Sequence, residues 1–150
     1  VLFVCYQGRA VGSASAFQWP GVPRNRGYIH MVGVLKEHCG QRLGYWLTVA
    51  CLQRLKQEGF TSAMLQTESF RIPAIKHYLR LGFRPVLVQE KQRQVWKRLW
   101  ERIQGEELAP DVDLESLPVM SPISFWWRTI RISNYMSWLR FKADMRGTKK

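Results

Sequence analysis

The spacing of apolar and polar positions changes several times along this 150-residue chain, and each change marks an element. Residues 1–6 and 10–18 are short apolar runs separated by Gln7-Gly8-Arg9, the pattern of a β-hairpin. Residues 19–27 hold Pro20, Gly21, Pro23 and Gly27 and read as a loop. Residues 28–35 are a continuous apolar run bounded by turn residues, which predicts a buried strand. Next, Leu43, Leu47, Cys51 and Leu55 recur every four residues, the stripe of an amphipathic helix over residues 44–57, with Gly59 placed to end it. Residues 61–67 predict a strand. Residues 73–81 predict a helix with Pro73 in its first turn and Gly82 just past its end, and residues 84–89 predict a further strand.

Beyond residue 90 the character changes. Residues 90–104 predict a charged helix whose Trp96, Trp100 and Ile103 give it an aromatic face. Residues 105–122 are acidic and interrupted by Pro110, Pro118 and Pro122, which reads as a linker or an extended meander. Residues 123–150 are basic and aromatic, with Asp144 as the lone acid against Arg128, Arg131, Arg140, Lys142, Arg146, Lys149 and Lys150. The predicted organisation is therefore a core over residues 1–104, a proline-containing acidic linker over 105–122 and an extension over 123–150.

Composition adds three constraints. A hydrophobic fraction of 46% with 13% aromatics belongs to a globular domain with a real core. No apolar run is long enough for a transmembrane helix, and the opening residues do not read as a signal peptide. Cys5, Cys39 and Cys51 form an odd set without metal-type spacing, so reduced thiols and a cytoplasmic location are expected rather than disulfides or zinc. The net charge of +12 favours anionic partners without choosing among coenzyme phosphates, nucleic acid and lipid.

The most informative stretch is YIHMVGVLKEHCGQRLG, residues 28–44, with AIKHYLRLGF, residues 74–83. A strand that passes through a glycine-containing turn into a helix aims unpaired N–H groups and the positive end of a helix dipole at one point, which makes an anion cradle. These segments resemble the GNAT superfamily of N-acetyltransferases, whose turn of the form Gln/Arg-x-x-Gly-x-Gly/Ala holds the pyrophosphate of acetyl-coenzyme A. Here the turn falls on Cys39-Gly40-Gln41-Arg42-Leu43-Gly44: Gly44 matches, Cys39 replaces the usual Gln or Arg, and Arg42 replaces the first glycine. In the second family segment Ala74, Tyr78, Gly82 and Phe83 match, and Arg71 stands where Asn is usual.

The resemblance implies an α/β fold of the α+β type, a mixed, mostly antiparallel sheet flanked by helices. It also implies that this chain is N-terminally truncated, lacking the family's first strand and first two helices. The implied activity is direct transfer of an acetyl group from acetyl-coenzyme A to an amine, of a small molecule or a peptide. Val32, Gly33 and Val34 would contact the pantetheine arm through their backbone, residues 39–44 and Arg71 would serve the cofactor, and Tyr78 would protonate the departing thiolate. A phenol with a pKa near ~10 is matched to a thiol near ~8.5 for that task.

A base is less evident. Period-two alternation places His30 on the face of Val32 and Val34, with a pKa near ~6.5 suited to proton abstraction, and Glu68 is the competing candidate. His38 and His77 read as turn and helix-surface residues, and these separated histidines do not form a metal site. Two rival functions fit the charge: a non-catalytic relative that binds nucleic acid or a protein through its basic surface, and a membrane-surface module anchored by the aromatic extension. The expected role of that extension is to cover a sheet edge or dock on another segment.

Overall fold

The computed structural model describes residues 1–20 and 24–119 and the backbone of residues 136–141. The chain divides into two compact units, one running from Val1 to Met64 and the other from Leu65 to Phe141, so the division falls inside strand β4, Ser62–Glu68.

The first unit starts with the expected hairpin. Strands β1, Leu2–Tyr6, and β2, Arg9–Phe17, pair antiparallel across a two-residue turn in which Gln7 and Gly8 both have positive φ, at 48° and 76°. Such turns match the right-handed twist of the strands they join. Strand β3, Arg26–Val34, pairs antiparallel with β2, and a 3-10 turn, Lys36–His38, follows it. Helix α1, Leu43–Gln57, then buries Leu47, Thr48, Cys51 and Leu55, so the four-residue stripe is the face that packs. It ends as Gly59 foretold: Gly59 takes φ 86°, its N–H donates to Lys56, and the Phe60 N–H donates to Leu55 at 3.0 Å.

Two glycines set how closely α1 lies on the strands. A Cβ on Gly27 would stand 2.4–2.9 Å from the Leu55 side chain, and one on Gly12 would stand 3.2 Å from Leu47 and 2.9 Å from the Gly33 carbonyl. Ala14 and Ile29 complete the buried seam beside them, at 0% and 1% exposure.

In β3 the prediction of a buried strand holds only for the first half. Gly27, Tyr28 and Ile29 are buried, whereas Met31 and Gly33 are exposed. The cause is a bulge. Ser15 pairs with His30 and Ser13 with Gly33, so Met31 and Val32 together oppose Ala14 alone, and Met31 takes φ 54°.

In the second unit helix α2, Ile72–Arg80, carries a proline in its first turn and buries Ile75, Tyr78 and Leu79. Strand β5, Phe83–Val86, is shorter than predicted, although Leu87 extends it through a parallel bridge to Val119. Helix α3, Lys91–Ile103, buries Gln92, Trp96, Leu99, Trp100 and Ile103, a stripe at helical spacing. The buried Gln92 side chain accepts from the Val88 and Gln89 N–H groups and so caps the chain's entry into this helix.

Residues 105–119 begin with a short helix, α4, Gly105–Leu108, and are tied down by arginines. Arg84 makes a two-pronged contact with Asp111 at 2.7 Å, and Arg93 donates to the carbonyls of Leu114, Glu115 and Leu117. Of the basic extension, residues 136–141 form strand β6, Met136–Phe141, antiparallel to β5, an element the hydrophobic pattern did not reveal. The rest of residues 123–150 lies outside the described residues. Among those described, no helix is long and apolar enough to cross a membrane.

Because the Gly27 position is filled by Leu55, Gly27→Ala should destabilise the protein by about 1–3 kcal/mol, the range for overpacking a core. Thermal unfolding would show this as a melting temperature lowered by roughly 2–10 °C; an unchanged melting temperature would mean that α1 moves away freely.

The three thiols should separate by reactivity. Cys5 and Cys39 are exposed, whereas Cys51 is buried and its pKa is pushed up from 9.0 to about 11 by burial. Alkylation at pH 8 followed by mass spectrometry should modify Cys5 and Cys39 in the native protein and Cys51 only after unfolding. Burial also raises Tyr28 from 10.0 to about 12. Both groups stay neutral when folded and lose their protons at lower pH when unfolded. Their contribution to stability is therefore fully present below about pH 9 and is lost as pH rises toward about 12, which denaturant titrations across that range would record.

Candidate functional site at the end of β3 and the start of α1

The site is built by the link between β3 and α1. The Leu35 N–H donates to the Val11 carbonyl at 2.8 Å, which holds the end of β3 against β2. The chain then tightens: His38 donates to Leu35 at 2.9 Å and Cys39 to Lys36 at 3.2 Å. Gly40 turns the chain at φ 85°, a conformation that glycine adopts without penalty.

Arg42 occupies the N-cap position in the left-handed region, at φ 59° and ψ 17°, and provides no side-chain cap. That conformation costs a non-glycine residue about 1–2 kcal/mol, which explains why glycine would suit this place. No acidic side chain stands in the first turn of α1. Among the described residues, the amide groups of that turn thus carry the helix's positive end with neither a side-chain cap from Arg42 nor a first-turn carboxylate to offset it. Cys39, Gly40, Gln41 and Arg42 are all exposed, and a Cβ built on Gly40 or Gly44 would meet nothing within 4 Å. Thr48 closes the turn from beneath, its hydroxyl donating to the Gly44 carbonyl at 2.8 Å.

The predicted residues fall as follows. Val32, Gly33 and Val34 are the last residues of β3, and Leu43 and Gly44 are the first of α1, so one unit brings these together with the loop 39–42. An open groove of about 360 Å³ runs beside Gly33 and Val34, lined further by Phe3, Val11 and Leu35. The exposed Cys39 thiol lies 3.5 Å from the Leu35 carbonyl.

Tyr78 and Arg71 belong to the second unit. Tyr78 is 8% exposed, on the buried face of α2, with its ring edge-on to Phe83 at 5.8 Å. Arg71 is the residue preceding α2. Its guanidinium pairs with Glu68 at 2.8 Å and lies 5.7 Å from the Phe70 ring, so the rival base Glu68 is itself held in an exposed ion pair.

The expectation that His30 shares a face with Val32 and Val34 is incorrect. Residues paired across antiparallel strands project to the same side. His30 opposes Ser15 and Gly33 opposes Ser13, whereas Val34 opposes Gly12 on the other side of β2. The bulge at Met31 inverts the alternation, and His30 lies on the face of Gly33, away from α1. There it packs with Phe17, Trp19 and Tyr28, at ring centroid distances of 6.4, 5.7 and 5.6 Å.

Residues 1–83 match the acetyltransferase (GNAT) family model. A mycothiol acetyltransferase of Pseudarthrobacter chlorophenolicus is 38% identical over 80 residues, covering 49% of this chain and 25% of the relative. N-alpha-acetyltransferase 30 of Schizosaccharomyces pombe is 41% identical over 58 residues, 39% of each chain. The match thus spans about a quarter of the length of the mycothiol acetyltransferase. In fold, a GNAT family acetyltransferase of Elizabethkingia anophelis with acetyl-CoA bound superposes with a TM-score of 0.55 at 13% identity, over 94% of this chain and 74% of that one. A GNAT acetyltransferase of Staphylococcus aureus gives 0.53 at 16% identity, over 93% and 65%. With the family model covering the strand–turn–helix unit and the fold shared as a mixed sheet flanked by helices, the chain belongs to the GNAT acetyltransferase family.

Proposed function

We propose that this chain carries an acetyl-coenzyme A dependent N-acetyltransferase site, with the pyrophosphate over residues 39–44 and the acetyl group delivered directly to an amine. The observation that carries the reading is the N-terminus of α1, exposed, uncapped and free of acidic residues in its first turn. Phosphate oxygens supply the negative charge and acceptors that such a terminus lacks. The Arg42 guanidinium adds a bidentate partner in place of the closer backbone approach that a glycine would permit. The backbone of residues 32–34 serves the thioester arm, and Gly33, with nothing within 4 Å of its Cβ position, leaves room for it.

Transfer requires a neutral amine to attack the acetyl carbon. The new N–C bond forms as the C–S bond breaks, one proton leaves the amine, and one reaches the thiolate. In this proposal Tyr78 is the donor to sulfur. His30, on the face of Gly33, is the acceptor of the amine's proton, and the ring cluster around it fixes the imidazole's orientation. The acceptor is an amine; the relatives are named for different acceptors, so no single compound is assigned.

Acetyl-coenzyme A at a hundredfold excess over its Kd should stabilise the folded chain by about 2.7 kcal/mol, read as a rise in melting temperature. Arg42→Gly should separate the two roles of that position. Relief of the left-handed strain raises the melting temperature of the free protein, while loss of the guanidinium weakens acetyl-coenzyme A binding by roughly 10-fold. No ligand-induced shift in the parent protein would remove the proposal.

Tyr78→Phe keeps the ring against Phe83 and removes only the hydroxyl. Turnover of a reactive amine should fall on the order of 10²- to 10⁴-fold with cofactor affinity unchanged. His30→Gln should lower turnover at neutral pH. Unchanged rates with chemistry rate-limiting would assign both residues to packing.

A further inference from the structure

Trp46 stands in solvent at 61% exposure, although the residues that follow it on α1 at core spacing, Leu47, Cys51 and Leu55, are buried. It is one helical turn from the cradle. Its N–H donates to the Arg42 carbonyl at 3.2 Å, which registers position 46 directly over position 42. Helical side chains lean back over the preceding turn. The indole therefore leans toward the exposed loop that ends at Arg42. Tyr45 braces it edge-on, with ring centroids 5.3 Å apart and an interplanar angle of 86°. An exposed aromatic surface and the uncapped first turn of α1 thus lie within a single turn of helix, with Arg42 at its N-cap.

That juxtaposition fits a purine nucleotide. We propose that Trp46 is the stacking platform for the adenine of coenzyme A and the residue that sets affinity for the nucleotide end of the cofactor, an inference that rests on the acetyl-coenzyme A site proposed above. With the pyrophosphate at the helix terminus, the base lies one ribose away, a distance comparable to the pitch of about 5.4 Å that separates positions 42 and 46. A purine π-face covers exposed indole without requiring a hydrogen bond, so the contact yields affinity while the amide groups and Arg42 fix the phosphates.

The test is isothermal titration of the full chain with two probes. One is acetyl-coenzyme A; the other is acetyl-4′-phosphopantetheine, which keeps the thioester arm and one phosphate but has no adenosine. Trp46→Ala should weaken acetyl-coenzyme A on the order of 10-fold, the scale of one base–aromatic stack, and leave acetyl-4′-phosphopantetheine unchanged. Trp46→Phe should retain most of the affinity for both. Equal binding of acetyl-coenzyme A by parent and Trp46→Ala overturns the inference, and so does an equal loss for both probes, which would place Trp46 in packing of the loop. A parent protein that binds neither probe overturns the acetyl-coenzyme A site itself and this inference with it. A parent that binds both, with Trp46→Ala indistinguishable from it, removes the stacking role alone.

Discussion

The close approach of α1 to strands β2 and β3 is the constraint on which the rest of the first unit depends. It exists because Gly12 and Gly27 leave no side chain where Leu47 and Leu55 must sit. A helix held this close has its first turn fixed relative to the end of β3, and the link between them is short enough to be set by local hydrogen bonds from Leu35 to Cys39. The exposed, uncapped start of α1 is thus a consequence of core packing several residues away. Side-chain volume at positions 12 and 27 governs it as directly as the residues that would touch a phosphate.

Strand β3 performs two tasks that ordinary alternation cannot combine. Its first half is buried against α1, and its second half is open to a groove. The bulge at Met31 makes the change by inserting one residue and reversing which side each later side chain takes. Positive φ at a methionine carries a steric cost of about 1–2 kcal/mol. The neighbouring paired residues hold that conformation in place. Ahead of the bulge, ordinary alternation keeps His30 on the face of Tyr28, in an aromatic cluster whose Tyr28 phenol burial keeps neutral far into alkaline pH.

In the second unit the organising groups are two arginines. Arg93, on α3, gathers carbonyls from three residues of the acidic stretch, and Arg84 holds Asp111. Backbone carbonyls in irregular chain need donors from somewhere, and a guanidinium offers several in a fixed plane. A segment rich in proline and acid, which has little apolar surface to bury, is ordered by those donors.

Most elements were legible in the sequence because each rests on a local cause. The hairpin follows from Gln7-Gly8, α1 from apolar residues every fourth position with Gly59 to stop it, and α2 from Pro73 and Gly82. The resemblance of residues 28–44 and 74–83 to the GNAT pattern was legible as well, since a backbone anion cradle needs glycine and a helix start at fixed spacing. What tertiary structure alone decided was of another kind. The bulge at Met31 depends on which residues of β2 pair with β3, and no local rule marks a methionine for positive φ. The order of the acidic stretch depends on arginines up to 27 residues away in sequence. Strand β6 is defined by its partner β5, since a strand's hydrogen bonds lie wholly outside itself. Local chemistry wrote the helices and turns; pairing between distant segments determined which faces their side chains occupy, and with that the surroundings of His30.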